Sequence, residues 1–280
     1  MGFLEDIIAR KTVEVAEAKK RIPLDDIIRA CSQMRPAVSL KEALVNGPAP
    51  RIIAEIKRSS PSKGQIRPDL DAARTAREYR DNGAAAISVL TDGPGFGGSI
   101  NDLRDVYRAV GSVRITQRNN TGMTPILRKD FLIDPYQVWE SRAAGADAVL
   151  LIVAALGAEK LDAMMEEVAH AGMEALVETH DDEEMRIAAD AGAGIIGINN
   201  RDLKTFKVDP RKAVQLAPLA PKEAALVIES GMKSPEDVRD YIQHGFRTFL
   251  IGEALMTAPD IGGRLKEFIS CVETPNSREA

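Results

Sequence analysis

Histidine, cysteine and aromatic residues are scarce in this chain, and it has no long apolar run. Its three histidines, His170, His180 and His244, share no ligand spacing with one another or with Cys31 and Cys271, so neither a metal nor a cofactor is expected. Two cysteines outside any redox spacing point to a reducing compartment. The longest apolar stretch, Ala148 to Gly157, is too short to span a bilayer. Met1 to Arg21 is charged throughout, where a signal peptide has an apolar core. These absences predict a cytoplasmic protein with no membrane partner. Charge is not heaped on one sign either. A net charge of −5, with Lys and Arg scattered along the chain, argues against nucleic-acid binding. No dinucleotide fingerprint follows a strand, and Gly93-Pro94-Gly95-Phe96-Gly97-Gly98 reads as a flexible loop. With only 4% aromatic residues against 44% hydrophobic ones, the core must be aliphatic. That suits Val/Ile/Leu-rich buried strands beneath Ala-rich helices.

What is present is a repeated alternation. After residue 50, short β-branched runs occur at Arg51–Lys57, Ala84–Thr91, Pro125–Phe131, Ala146–Val153, Met173–His180, Gly194–Asn200, Ala225–Gly231 and Thr248–Leu255. Helical patterns separate them. Asp134-Pro135-Tyr136-Gln137 and Ser234-Pro235-Glu236-Asp237 carry the cap, proline and N3 acceptor of a helix start. Gly83, Gly145, Gly172, Gly192 and Gly245 fall where such helices stop. Eight strands, seven connections and a last helix near Asp260–Cys271 predict a (β/α)8 TIM barrel, a fold of about 250 residues; an open doubly wound sheet is the alternative. Residues 1–47 form an N-terminal helical extension. Two short amphipathic helices there, through Phe3, Leu4, Ile7 and Ile8 and then Leu24, Ile27 and Ile28, need an apolar surface, as a lid over the barrel or a cap on its base. Residues 48–272 make the barrel and 273–280 a polar tail. Gly111–Thr124 reads as a polar loop before the third strand.

In such a barrel the strand C-termini face the active site. In order they carry Glu55 and Lys57; Thr91 and Asp92; Lys129 and Asp130; the apolar Ile152–Ala155; Glu178; Asn199 and Arg201; Glu229 and Ser230; and Gly252. Each polar residue alone fits a solvated strand end. Three carboxylates, two lysines and an asparagine on one mouth instead point to acid–base chemistry. Ser230-Gly231 and Gly252 follow strands seven and eight, where barrels bind phosphate through backbone N–H groups, and Ser60 can add a hydroxyl.

The blocks Glu-Ile-Lys-Arg-Ser-Ser-Pro-Ser-Lys-Gly (55–64), Val-Leu-Thr-Asp (89–92), Leu-Arg-Lys-Asp-Phe (127–131), Leu-Val-Glu-Thr-His (176–180), Ile-Asn-Asn-Arg-Asp-Leu (198–203), Glu-Ser-Gly-Met (229–232) and Ile-Gly-Glu-Ala-Leu-Met (251–256) resemble, in order, those of the indole-3-glycerol-phosphate synthase family. The resemblance runs from the N-terminal helices to about residue 271. It implies decarboxylating and dehydrating ring closure of 1-(2-carboxyphenylamino)-1-deoxyribulose 5-phosphate to indole-3-glycerol phosphate, in tryptophan biosynthesis. It implies Lys129 as general acid of ring closure, and Lys57 as holder of the substrate carboxylate and acid in dehydration. Glu55 or Glu178 would be the base that removes the nitrogen proton. Asn199 would bind the reacting sugar, and Glu229 would position the lysines or a hydroxyl. Ser60, Gly231, Gly252 and the N–H of Glu253 would hold phosphate, with Arg201 and Ser230 in supporting roles. Phe96 and Phe131 would contact the aromatic ring, together with Leu150 or Leu151, because Gly95 stands where the family commonly has a second aromatic residue. Glu253 must turn its side chain away from the phosphate. The small-molecule substrate is the only partner implied, and the chain is expected to be a monomer or weak homo-oligomer. Other readings are an isomerase, a Schiff-base aldolase using a low-pKa Lys129, and a binding barrel without catalysis.

Overall fold

The computed structural model describes residues 2–111 and 123–272. Eight strands close into one parallel barrel: β1 (Arg51–Ile56), β2 (Ala86–Leu90), β3 (Ile126–Lys129), β4 (Ala148–Ile152), β5 (Glu174–Thr179), β6 (Ile195–Asn199), β7 (Ala225–Glu229) and β8 (Thr248–Ile251). Each pairs with its neighbour in sequence, and β8 returns to β1 with Arg51 opposite Thr248. The barrel expectation holds and the open sheet does not. A two-residue hairpin, Ser59–Ser60 with Gly64–Gln65, tops the first strand.

A period of two organises every strand. Ile52, Ala54 and Ile56 of β1, Val149 and Leu151 of β4, and Ile196 and Ile198 of β6 face outward into the layer shared with the helices. The alternate residues, among them Ile53, Leu127, Leu150, Leu176, Val227 and Leu250, fill the barrel interior. Following those inward rows one step toward the C-terminal ends replaces aliphatic residues by Glu55, Lys129, Glu178 and Glu229. The interior is apolar at the base and charged at the top.

The outer helices are α4 (Ala72–Asp81), α5 (Ile100–Val110), α6 (Pro135–Ala144), α7 (Val153–His170), α8 (Asp182–Asp190), α9 (Arg211–Leu216), α10 (Pro235–Gln243), α11 (Glu253–Met256) and α12 (Ile261–Ile269). The five expected stop glycines all have positive φ, a conformation that costs a residue without a Cβ little. The Asp134 side chain accepts from Tyr136 N at 2.9 Å and Gln137 Oε1 from Ile133 N at 2.8 Å, so both halves of the α6 start signal are used. The fourth strand ends sooner than its apolar run, because the chain turns at Val153 into α7, which is interrupted at Gly157 (φ 67°). The eighth ends at Ile251, and Leu255 lies in the short α11. The polar-loop expectation for Gly111–Thr124 and the tail 273–280 fall largely or wholly outside the described residues.

The extension differs from two short helices. It contains three: α1 (Phe3–Arg21), α2 (Leu24–Cys31) and α3 (Leu40–Val45). The apolar stripe of α1 runs on past Ile7 to Val15, with Lys11 buried between them. They also serve both ends of the barrel. Phe3 of α1 lines the cavity at the top. α3 seals the base, where Leu40 and Leu44 are buried. There Ser39 Oγ and Lys41 N donate to Glu174 at the start of β5, at 2.9 and 2.8 Å. Arg35 and the N–H of Val38 bind Asp147, just before β4.

Candidate active site

The cavity at the C-terminal mouth has a volume of about 390 Å³, and Glu55, Lys57, Lys129, Glu178, Asn199 and Glu229 all line it. The structure thus brings together, from five strands, the six residues expected at one mouth. They form two sets. On β1 and just beyond it, Lys57 Nζ donates to Glu55 Oε2 at 2.5 Å. Across the mouth, Lys129 Nζ at the end of β3 donates to Glu178 Oε2 of β5 at 2.8 Å and to Glu229 Oε2 of β7 at 2.7 Å. Asn199 Nδ2 of β6 donates to Glu178 Oε1 at 3.1 Å.

Two carboxylates on one buried ammonium shift all three groups. Burial opposes charge on Lys129, but Glu178, Glu229 and Glu55 outweigh it and raise its pKa. The low-pKa lysine needed by an aldolase is therefore corrected: Lys129 is held as a cation. Burial also opposes charge on Glu178, but Lys129 and His180 win and hold it well below the ordinary carboxylate range. Glu229 goes the other way. Burial, helped by the Glu178 charge, pushes it up to about 8 against the pull of Lys129. Its Oε1 is buried without a hydrogen-bond partner. Of the two acids beside Lys129, the surroundings favour the anion at Glu178 and the neutral acid at Glu229.

Glycine makes room for both carboxylates. A Cβ on Gly197 of β6 would lie 2.1 Å from Glu229 Oε1, and one on Gly252 would lie 2.0 Å from Glu55 Oε2. Gly252, expected only as a phosphate contact, thus also seats Glu55. Gly197 was missed, although a glycine amid β-branched residues in Ile-Ile-Gly-Ile-Asn is a sequence signal for close approach.

The residues expected at the phosphate, Ser60, Ser230, Gly231, Gly252 and Glu253, line the same cavity. Ser60 is buried and 3.4 Å from Ser62 through their hydroxyls, while Ser230 (φ 64°) and Gly231 (φ 96°) take the left-handed conformation. Glu253 turns its carboxylate to Lys63, 3.5 Å away. Arg201 lines the cavity and donates to Phe206 O at 3.1 Å. Phe96 and Phe131 form a tilted pair 6.2 Å apart in the cavity wall. Leu150 lines it with them, whereas Leu151 belongs to the outer layer.

Two strand-end acids have a different duty from the one their position suggested. Lys11 of α1 reaches Asp92 and Asp130, each at 2.7 Å, and Arg10 reaches Asp92 at 2.9 Å. Asp130 also accepts from Arg128 at 3.0 Å and from Thr91 at 2.5 Å. These acids fasten the extension to the mouth. His180 was also missed, being set aside only as a metal ligand. It lies 3.2 Å from Glu178 through Nε2 and 2.9 Å from Glu184 through Nδ1. The signal was its spacing: Leu176, Glu178 and His180 share one face of an extended chain.

The family model described as indole-3-glycerol phosphate synthase matches residues 4–268. An indole-3-glycerol phosphate synthase of Carboxydothermus hydrogenoformans is 44% identical over 276 residues, covering 96% of this chain and all of the relative. One of a Roseiflexus species is 44% identical over 268 residues, covering 95% of this chain and 97% of the relative. Among solved structures, 3-hexulose-6-phosphate synthase from Salmonella typhimurium superposes with a TM-score of 0.60 at 14% identity, over 79% of this chain and 97% of the other. Thiamine phosphate pyrophosphorylase from Pyrococcus furiosus does so with a TM-score of 0.58 at 15% identity, over 83% and 97%. These likenesses concern the fold alone. The matches over nearly the whole sequence carry more: this chain belongs to the indole-3-glycerol phosphate synthase family.

Proposed function

We infer that the chain catalyses the ring closure of 1-(2-carboxyphenylamino)-1-deoxyribulose 5-phosphate to indole-3-glycerol phosphate, CO2 and water in tryptophan biosynthesis. The observation that carries the assignment of roles is the buried Lys129 ammonium, which donates to both Glu178 and Glu229. Ring closure needs a cation at the ketone oxygen while the aromatic carbon attacks the ketone carbon. Lys129 is that cation and gives its proton to the alkoxide as charge develops. Glu229, 2.7 Å from Nζ, can return a proton to the lysine. Loss of CO2 then restores the aromatic ring. In dehydration the hydroxyl must leave with a proton and a base must take one. Lys57 is the acid of that step, and Glu55 and Glu178 are the anions able to receive the proton.

Lys57 stands at the edge of the β1 set, where it can also meet the substrate carboxylate. We assign Ser60, Gly231, Gly252 and the N–H of Glu253 to the phosphate, Asn199 to the reacting sugar with Ser230 and Arg201 in support, and Phe96 and Phe131 to the ring. A Schiff-base aldolase is disfavoured because it requires a neutral amine, and both carboxylates oppose one at Lys129. Every proposed catalytic residue lines a cavity of a single chain, in keeping with a monomer or weak homo-oligomer. No helix among the described residues is long and apolar enough to cross a membrane, and both cysteines are free, in keeping with work in the cytoplasm.

Incubation with the synthetic anilino-ribulose phosphate should give indole absorbance. Lys129→Met should lower turnover by about 10²–10⁴-fold, the worth of a positioned acid, with ligand binding largely kept. A folded wild-type protein that forms no indole product would overturn the reaction, and a variant retaining more than about a tenth of turnover would remove Lys129 from the acid's role.

A further inference from the structure

We infer that His180 is a positioning residue, clamped between Glu184 and Glu178, that holds the Glu178 carboxylate in place beside Lys129. The inference rests on the role of Glu178 given above and adds a residue that does not itself line the cavity. His180 follows the last residue of β5, so its ring points the same way as Glu178. The first turn of α8 then returns over it. His180 N donates to Glu184 Oε2 at 2.8 Å, and the ring Nδ1 lies 2.9 Å from that same oxygen. Glu184 N in turn donates to Asp181 Oδ1 at 2.9 Å, the cap of α8. One carboxylate oxygen thus fixes both the backbone and the ring of His180. With Nδ1 committed to Glu184, Nε2 is left to face Glu178 Oε1 at 3.2 Å, an ion-pair contact without hydrogen-bond geometry.

Glu178 needs such a holder. It is buried, and its two oxygens are approached by Lys129, Asn199 and His180 from three different elements. Lys129 is also shared with Glu229, so it cannot fix Glu178 alone. Asn199 contributes a neutral donor. His180 is the second cation: burial works against its charge, but Glu178 and Glu184 raise it to about 9. The charged groups around the ring are Glu184 on α8, Glu178 on its own strand and, beyond Glu178, Lys129, Glu229 and Glu55. A chain of alternating charge, Glu184–His180–Glu178–Lys129, therefore runs from a surface helix to the general acid. A shift of Glu178 would move Lys129 with it.

The test compares His180→Gln, which keeps an N–H donor without the charge, His180→Leu, which keeps neither, and Glu178→Gln, in pH profiles of the full enzyme. His180→Leu should lower kcat by about 10–100-fold, the scale of a misplaced catalytic group, with KM changed far less. His180→Gln should move the acidic limb of kcat up by about one pH unit, because Glu178 loses a neighbouring cation, and should recover toward wild type above that limb. In a Glu178→Gln background, His180→Gln should cost nothing more. Should His180→Leu fail to fold, His180→Gln decides alone. An inactive Glu178→Gln beside a His180→Gln enzyme with wild-type kcat and an unmoved acidic limb would overturn the inference. An active Glu178→Gln enzyme would instead remove the role of Glu178 on which it rests.

Discussion

Gly197 decides where the Glu229 carboxyl sits, although it has no side chain of its own. Its missing Cβ leaves the space that Glu229 Oε1 occupies, and burial there favours the neutral acid. Gly197→Ala should displace the carboxyl, cost about 1–3 kcal/mol of stability by overpacking and lower kcat by about 10²-fold. Turnover and urea unfolding measured on one sample check both; unchanged kcat would show that Glu229 is not needed where it sits. Lys11 poses the opposite case, a buried charge that stabilises rather than reacts. Burial raises the pKa of Asp130, but Arg128 and Lys11 outweigh it and hold the carboxyl at about 2, below its ordinary 3.8. The stability this pairing contributes is present above pH 3.8 and is lost as pH falls toward 2. Lys11→Met should therefore cost about 3–5 kcal/mol at neutral pH, and the gap to wild type should narrow through that acidic window. A gap independent of pH would mean that Lys11 acts by packing alone. The residues of the site were legible to the extent that strand parity shows them. Glu55, Lys57, Lys129, Glu178 and Glu229 stand out as charges in apolar runs. Gly197 acts on Glu229 of the neighbouring strand, which no spacing within its own strand displays, and the parity of His180 with Glu178 does not reveal the Glu184 of α8 that holds the ring.

At the level of elements, the extension is two devices joined in sequence. Phe3 at the start of α1 packs edge-on against Phe206 at 4.9 Å, and both line the cavity. α3 instead plugs the base. Removing residues 1–22 should raise KM by uncovering the mouth and leave Asp92 without Arg10 and Lys11, while the barrel stays folded because Arg128 still meets Asp130. Removing 1–47 should go further. It exposes the aliphatic base under Leu40 and Leu44, takes Arg35 and Val38 from Asp147 and takes Ser39 and Lys41 from Glu174, so aggregation should follow. Steady-state kinetics and size-exclusion chromatography separate the two outcomes. Wild-type KM after loss of 1–22 would deny α1 any part in covering the mouth. The sequence shows that the extension is amphipathic and must dock, yet not that it reaches both ends. Lys11 breaks the apolar stripe of α1 for a reason that lies on β2 and β3, so α1 looks shorter than it is. α3 is only six residues long and is held by contacts with distant strands, which its own pattern cannot announce. The strands show the same limit at their ends. Leu255 is as apolar as its strand neighbours, and only the turn at Gly252 assigns it to α11.

Across the whole molecule, barrel closure does what the linear order cannot. Eight runs with helical connections are enough to read the fold, because each buried strand must be apolar on both faces. Closure then sets the β1 pair Glu55–Lys57 across the mouth from Lys129, Glu178 and Glu229. One cavity thus holds two sets of paired acids and lysines, and the proposed reaction has two bond-breaking stages, loss of CO2 and loss of water. If the sets divide the stages as proposed, damage to one should separate events that are concurrent in the intact enzyme. Lys129→Met should suppress CO2 and indole together, since no ring forms without it. Lys57→Met should weaken substrate binding and slow dehydration by about 10²-fold or more, as loss of a general acid does, so that CO2 release runs ahead of indole absorbance in a single turnover. The decarboxylated, still hydroxylated ring compound should then accumulate and be trapped by acid quench. Simultaneous appearance of CO2 and indole in the Lys57→Met protein would mean that both stages draw on the Lys129 set, leaving the β1 pair to binding alone.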